Sequence, residues 1–468
     1  YNDNAGQTFS LKTATGTSDV LHLKAAHVTS TASADVTTAT VTGFETVNFE
    51  ANSGDKLTTT TSDRSTLSFT AAGDLTTINV SGSKSAAVNI ASNAVKVTTV
   101  DASSSVGGLV FTAGANTGAL TVTGSAVADT FNIASLGTGG SVTYNAGAGI
   151  DTFSGTEAQA AVATINGGDG VDVLNVTDVS STTNSYTFDD NTLNGISNIE
   201  TIGFTGAIVG DLTMTLGGYA NTLASGISGN QLKISAKAIA LGAAADDVVI
   251  NASALTGSNS VEMDVKNTSA VTNASNITLT GSDGADKITL EEALADSDNI
   301  LTVNAGKGDD TITITTSGND GVVVVTGGDG ADTIDVSAAT SDALTGSDIT
   351  GGKGNDTIKL DTEGASTDYT VVFADTAANN GVDTITNYTQ AATGDHVDFD
   401  AFLNHTAYNS TVWTANVGVS TDVSSDVNLL VDITGGQDIT TNAGLTAALA
   451  AGGEYSNFDI AGSGKAIF

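Results

Sequence analysis

An aspartate recurs at the sixth position of a glycine-rich octapeptide. Four copies stand in series: Gly281–Ile288 (GSDGADKI), Ala305–Ile312 (AGKGDDTI), Gly327–Ile334 (GGDGADTI) and Gly351–Ile358 (GGKGNDTI). Two more lie upstream, Ala146–Phe153 (AGAGIDTF) and Gly167–Leu174 (GGDGVDVL). Degenerate copies are Gly124–Phe131 (GSAVADTF), Gly242–Val249 (GAAADDVV) and Ala378–Ile385 (ANNGVDTI). Glycine permits the positive-φ turn and lets backbone carbonyls approach an ion. The aspartate supplies a carboxylate, and the apolar eighth residue points inward. Stacked turns of this kind gather carboxylates and carbonyls around one gap. A flexible, all-oxygen, many-ligand set suits Ca²⁺, whereas Mg²⁺ demands a tighter octahedron. The competing reading of each copy is a glycine turn with a solvated aspartate, and Gly242–Val249, which lacks the glycines, is read that way.

Other chemistry finds little support. A zinc protease would need His-Glu-x-x-His on a helix. The histidines are His22, His27, His396 and His405, and the first two have no intervening Glu. Gly226-Ile227-Ser228-Gly229 has the wrong spacing for a nucleophile elbow. Gly462-Ser463-Gly464-Lys465 lacks the upstream Gly and the following Ser/Thr of a phosphate loop. Paired carboxylates are plentiful, but they sit in glycine turns that metal binding already accounts for. The chain is therefore expected not to be an enzyme.

The elements that must position the turns are short alternating strands at a nearly constant period. Ile78, Val100, Val122, Tyr144 and Ile165 are equivalent inward positions spaced by 22, 22, 22 and 21 residues. Leu279, Val303, Val325 and Ile349 continue the pattern at 24, 22 and 24. Ile288, Ile312, Ile334, Ile358 and Ile385 are expected to form a second inward ladder. Alternation marks half-buried strands, and a fixed period marks a solenoid in which each strand stacks on the one a coil earlier. The fold class is therefore all-β: parallel β-helix or β-roll units of about 22 residues per coil. Between Thr177 and Asn276 the register drifts, although strand-like pieces persist at Leu212–Leu216, Leu232–Ile234, Val248–Ile250 and Val261–Val265. Gly43–Phe49 (GFETVNF) and Ser197–Phe204 (SNIETIGF) look related, and each is read as opening a block of coils. Helix signal is scarce: Asn442–Ala451 is the best candidate, and Glu291–Ala295 reads better as a turn.

With these motifs in view, the sequence resembles the calcium-binding nonapeptide repeats of RTX proteins, which form parallel β-rolls outside Gram-negative cells. The resemblance implies that Asp129, Asp151, Asp172, Asp286, Asp310, Asp332, Asp356 and Asp383 are calcium ligands. It implies that Asp169, Asp283 and Asp329 contribute mainly through carbonyls, and that the turn glycines Gly167, Gly281, Gly327 and Gly351 belong to the sites. Motifs here lie 21–24 residues apart, not nine as in typical members. One calcium-lined edge per coil is therefore expected, opposite a longer and variable connection. Gly381–Phe399 resembles the end of such a roll, which adds Asp395 and Asp398. Trp413, Leu429–Ile433 and the final stretch to Phe468 resemble a small C-terminal cap and type I secretion signal. The remainder resembles surface-layer proteins of Gram-negative bacteria that carry RTX repeats.

Composition narrows the function classes. The chain has 468 residues, with 14 Lys+Arg against 52 Asp+Glu and a net charge of −38. No basic face can be assembled to displace counterions from nucleic acid or to hold anionic lipid. No apolar run reaches the ~18–20 residues of a membrane span. Cys and Pro are absent, which excludes disulfides and thiolate sites and fits uninterrupted β ladders. Hydrophobic residues are 40% but aromatics only 5%, favouring thin repetitive packing. The chain begins at Tyr1 without a cleavable leader pattern and is expected to be part of a larger exported protein.

Five segments are expected: 1–56, an N-terminal β segment; 57–176, a solenoid with the first calcium turns; 177–276, a less regular solenoid unit; 277–390, an RTX β-roll; and 391–468, the cap and secretion region. The function expected is a structural subunit of a calcium-dependent surface layer, located at the cell surface. The alternative is a calcium-rigidified adhesin, for which Thr-rich arrays such as Leu57–Thr61 would be suitable. Expected partners are copies of itself, the type I secretion machinery and cell-surface polysaccharide, with no nucleic acid and no membrane insertion.

Overall fold

A computed structural model of the chain describes residues 7–398 apart from 13–15, 26–35, 53–64, 91–95, 115–117, 134–139, 179–184, 242–245, 269–274, 293–298, 317–320, 340–346, 362–368, 375–378 and 389–394. Beyond 398 it describes 421–423, 429–430, 458–460 and 466–467. Asn442–Ala451, Trp413, Leu57–Thr61, His27, His405 and Gly462–Lys465 lie outside the described residues.

The period predicts a solenoid, and the chain forms one. Its strands collect into a 16-stranded sheet from Gln7–Ser10 to Thr384–Thr386, an 8-stranded sheet from Val20–Ala25 to Ile196–Ser197, and a 9-stranded sheet from Tyr186–Asp189 to His396–Asp398. Each coil contributes one strand to the long sheet and one to a shorter sheet, and neighbouring coils pair in parallel. The 8-stranded sheet serves the N-terminal coils and the 9-stranded sheet the C-terminal coils. The hand-over falls between residues 186 and 197. Two short parallel pairs, Thr421–Val423 with Phe458–Ile460 and Leu429–Leu430 with Ala466–Ile467, lie further along the chain.

The inward ladders hold residue by residue. Ile78 pairs with Val100, Val100 with Val122, Val122 with Tyr144 and Tyr144 with Ile165. Leu279, Val303, Val325 and Ile349 form the matching column in the 9-stranded sheet. In the long sheet one column continues from Leu67 through Phe111, Phe131, Phe153 and Ile202 to Ile288, Ile312, Ile334, Ile358 and Ile385. All but Ile385 are buried. Full burial of such a side chain contributes about 1.5–3 kcal/mol, repeated at each coil.

The drift expected between Thr177 and Asn276 has a structural origin. Register offsets of 20 and 22 where Phe111 pairs with Phe131 and Phe131 with Phe153 widen to 28 where Leu174 pairs with Ile202 and to 32 where Ile202 pairs with Ile234. The extra residues form the turn Asp190–Leu193 and the helix Gly218–Gly226. The carboxylate of Asp190 caps this helix, accepting the amides of Gly217, Tyr219 and Ala220 at 2.7–3.0 Å. Glu291 and Glu292, read as opening a turn, instead end the strand Lys287–Glu292.

Candidate metal-binding edge

The glycine turns join the shorter sheets to the long sheet, so they line one edge of the solenoid. They stack in register: Gly147 on Gly168, and Gly306 on Gly328 on Gly352. Beyond the first turn of each file, stacking alone requires glycine at positions two and four. Gly328 and Gly330 have φ of 124° and 157°, and an added Cβ would fall 1.9 and 1.8 Å from the carbonyl oxygens of Gly306 and Gly308. The glycine pattern is therefore accounted for without an ion.

The aspartates are not solvated. Asp129, Asp151, Asp172, Asp286, Asp310, Asp332 and Asp356 are 0–3% exposed. Each of the later ones accepts, through Oδ1, the backbone N–H of its counterpart one coil earlier. The links are Asp129 to Asp151 (2.7 Å), Asp151 to Asp172 (2.8 Å), Asp286 to Asp310 (2.7 Å), Asp310 to Asp332 (2.8 Å), Asp332 to Asp356 (2.8 Å) and Asp356 to Asp383 (3.0 Å). The result is two files of carboxylates, one ending at Glu200, whose Oε2 accepts the Asp172 amide at 2.6 Å.

The second oxygen separates the turns into two kinds. Oδ2 of Asp151, Asp172, Asp310, Asp332 and Asp356 is buried without any hydrogen-bond partner. A buried, unpartnered anionic oxygen is costly unless something positive or donating meets it. Beside these oxygens lie carbonyls of the following coil. A Cβ on Gly327 would meet Asp332 Oδ2 at 2.4 Å and the Gly351 carbonyl at 2.5 Å; one on Gly167 would meet the Asn198 carbonyl at 1.9 Å and Asp172 Oδ2 at 2.5 Å. Ala146 and Ala305 fill that place in the turns of Asp151 and Asp310. The pairing of a carboxylate oxygen with a carbonyl oxygen at Asp172 and Asp332 thus fits a hard cation.

Asp129 and Asp286, which head the two files, differ. Ser125 donates its amide to Asp129 Oδ2 (2.6 Å) and its hydroxyl to Oδ1 (2.9 Å). Ser282 does the same for Asp286, at 2.5 and 2.7 Å. The amides of Leu109 and Val261 complete the two sets.

Burial without an ion disfavours the charged carboxylates. It pushes Asp310 up to about 8, Asp151 and Asp332 up to about 7, and Asp172 and Asp286 up to about 6. Neighbouring carboxylates add to the rise at Asp310, Asp332 and Asp151.

The remaining candidates are placed differently. Asp283 and Asp329 pair through their side chains with Lys307 (2.7 Å) and Lys353 (2.6 Å), forming an alternating surface ladder at position three. The Asp329 carbonyl accepts the Gly308 amide at 2.7 Å. Asp169 is exposed and stands beside Ala148. Asp383 continues the second file at the long sheet, whereas Asp395 and Asp398 belong to the opposite edge and the 9-stranded sheet. There Asp395 accepts the Tyr369 amide at 3.3 Å, and Asp398 pairs with Val372.

Sequence reasoning missed Glu200 as a file member. The signal was present in the likeness of GFETVNF and SNIETIGF. Glu45 accepts the Asp19 amide at 2.8 Å, as Glu200 accepts that of Asp172. The two segments nonetheless feed different sheets: Thr46–Ala51 is in the 8-stranded sheet and Thr201–Phe204 in the long one.

Among the described residues no three His, Cys, Asp or Glu side chains converge as a metal cluster. The cradle described above instead pairs one carboxylate with backbone carbonyls. Among the same residues no helix is long and apolar enough to cross a membrane. The chain matches no family model, no curated protein and no solved structure. What the fold and edge define is a class: a parallel β-solenoid with buried acidic files along one edge.

Proposed function

We propose that this chain is a calcium-folded structural subunit of a bacterial surface layer. The observation that carries the reading is the set of buried, unpartnered Oδ2 atoms at Asp172, Asp332 and Asp356, the first two beside a carbonyl of the following coil. Calcium, when bound, supplies the positive charge these oxygens lack. Asp172, Asp332 and Asp356 would hold it through Oδ2, while their Oδ1 atoms stay committed to the ladder and fix the carboxylate planes. The turn glycines keep that space clear of side chains. A net charge of −38 makes copies of the apo chain repel, so neutralisation along an edge favours both folding and lateral approach. Export by a type I system, a cell-surface location and attachment to surface polysaccharide belong to the same proposal, as does a structural and not a catalytic role.

Negative-stain electron microscopy of the purified chain, in chelator and then in millimolar calcium, tests it. Ordered two-dimensional sheets only with calcium are expected. Dispersed rods in both conditions would contradict lattice formation. Dispersed rods that form only with calcium would favour the second reading, a calcium-stiffened adhesin, for which the outward column Thr311, Thr333, Thr357 and Thr384 offers a regular hydroxyl face.

A further inference from the structure

The two kinds of turn differ at one residue, the second of the octapeptide. Where it is glycine its φ is positive: 109° at Gly147, 100° at Gly168, 112° at Gly306, 124° at Gly328 and 112° at Gly352. In all five of these turns the aspartate Oδ2 is buried and unpartnered. Where it is Ser125 or Ser282, φ is not positive. The serine amide then faces the carboxylate and donates to Oδ2, and the hydroxyl donates to Oδ1. A side chain at position two thus turns an N–H toward the carboxylate, because an L-residue avoids the conformation that glycine adopts there.

We propose that position two decides which turns take an ion, and that Ser125 and Ser282 make the first turn of each file ion-free. This rests on the calcium reading above and refines which of its sites are real. Asp129 and Asp286, which head the two files, are then not ligands. They are fixed acceptors held by protein donors: three hydrogen bonds reach Asp129 and three reach Asp286. Each aspartate then has three of its roughly four lone-pair sites taken by protein donors, two on Oδ1 and one on Oδ2, so neither oxygen is left unpartnered. Its backbone N–H still holds the next aspartate, Asp151 or Asp310, in line. The closed turn is therefore a calcium-independent foundation on which the open turns stack.

The number of calcium ions per full-length chain, measured by equilibrium dialysis and elemental analysis, tests this. The variants are Ser282→Gly, Ser282→Ala, Asp286→Asn and Asp332→Asn, with circular dichroism confirming the fold of each. Ser282→Gly is expected to gain one ion, because glycine opens the turn. Ser282→Ala is expected to keep the wild-type count, since its amide still faces Asp286. Asp286→Asn should also keep that count, and Asp332→Asn should lose at least one ion. Loss of an ion in Asp286→Asn, or an unchanged count in Ser282→Gly, would overturn the proposal while leaving the calcium reading intact. A wild-type chain that binds no calcium would overturn the calcium reading itself and this proposal with it. Ser125→Gly repeats the test in the other file should Ser282→Gly fail to fold.

Discussion

The carboxylate file at 129–200 and the file at 286–383 are built by the same rule on different foundations. Both begin at a serine-closed turn and run on through amide-to-carboxylate links. The first is short, ends in Glu200, and is backed by aromatics: Phe131 stacks on Phe153 at 4.8 Å, with Tyr144 set edge-on to both. The second is longer, backed by a column of isoleucines, and flanked outside by alternating Lys and Asp. Between them lie the coil with the widest offset, 36 residues where Leu212 pairs with Val248, and the inserted helix. The chemistry of the edge is thus local to each turn and indifferent to which side chains fill the core.

That comparison can be broken from the inside out. Phe153→Ala should cost about 3–5 kcal/mol and Ile312→Ala about 2–5 kcal/mol, read as shifts in denaturant midpoint. Comparable losses would show that both foundations matter equally to their files. A negligible loss at Phe153 would remove the aromatic cluster as a foundation. Next in size, Asp332→Ala, flanked by Asp310 and Asp356, should raise the calcium concentration needed for folding by roughly tenfold, the equivalent of about 1.4 kcal/mol. Asp172→Ala, at the end of its file, should raise it less. Calcium titrations followed by circular dichroism would rank the two.

A pH series sharpens the same contrast. In chelator, the folded files hold protons that the unfolded chain, with Asp near ~3.9, would release. Raised folded-state values mean that this contribution is full in acid and is lost as pH rises through about 6 to 8. Melting temperature in chelator should therefore fall between pH 5 and 8.5, and the gain from added calcium should grow. A calcium effect independent of pH would contradict competition between ion and proton at these carboxylates. The smallest change expected is at the outer ladder: Lys353→Ala, which removes a half-exposed ion pair, should cost less than about 1 kcal/mol, and less still in high salt.

Much of the fold was legible because a period near 22 leaves few arrangements other than stacked coils. The columns Ile78 to Ile165 and Ile288 to Ile385 follow from it directly. The helix Gly218–Gly226 was not legible, since its glycines and hydroxyl residues are poor helix formers and its cap, Asp190, comes from 27–30 residues away. The division of one face into two sheets leaves no mark on the period either. At the site, spacing gave the aspartates of both files, but not the closure of Asp129 and Asp286. Ser125 and Ser282 are visible in the sequence, yet their meaning depends on a backbone angle. Asp395 and Asp398 match a motif in sequence but enter a different sheet from Asp383, which no one-dimensional pattern records.

Hydrogen exchange of the intact chain in chelator and in millimolar calcium, resolved to the segment 300–358, tests the central claim most directly. The open turns around Asp310, Asp332 and Asp356 are predicted to exchange rapidly in chelator and to become protected with calcium. Equal protection in both conditions would contradict it, and would mean that the buried carboxylates are satisfied by protons alone.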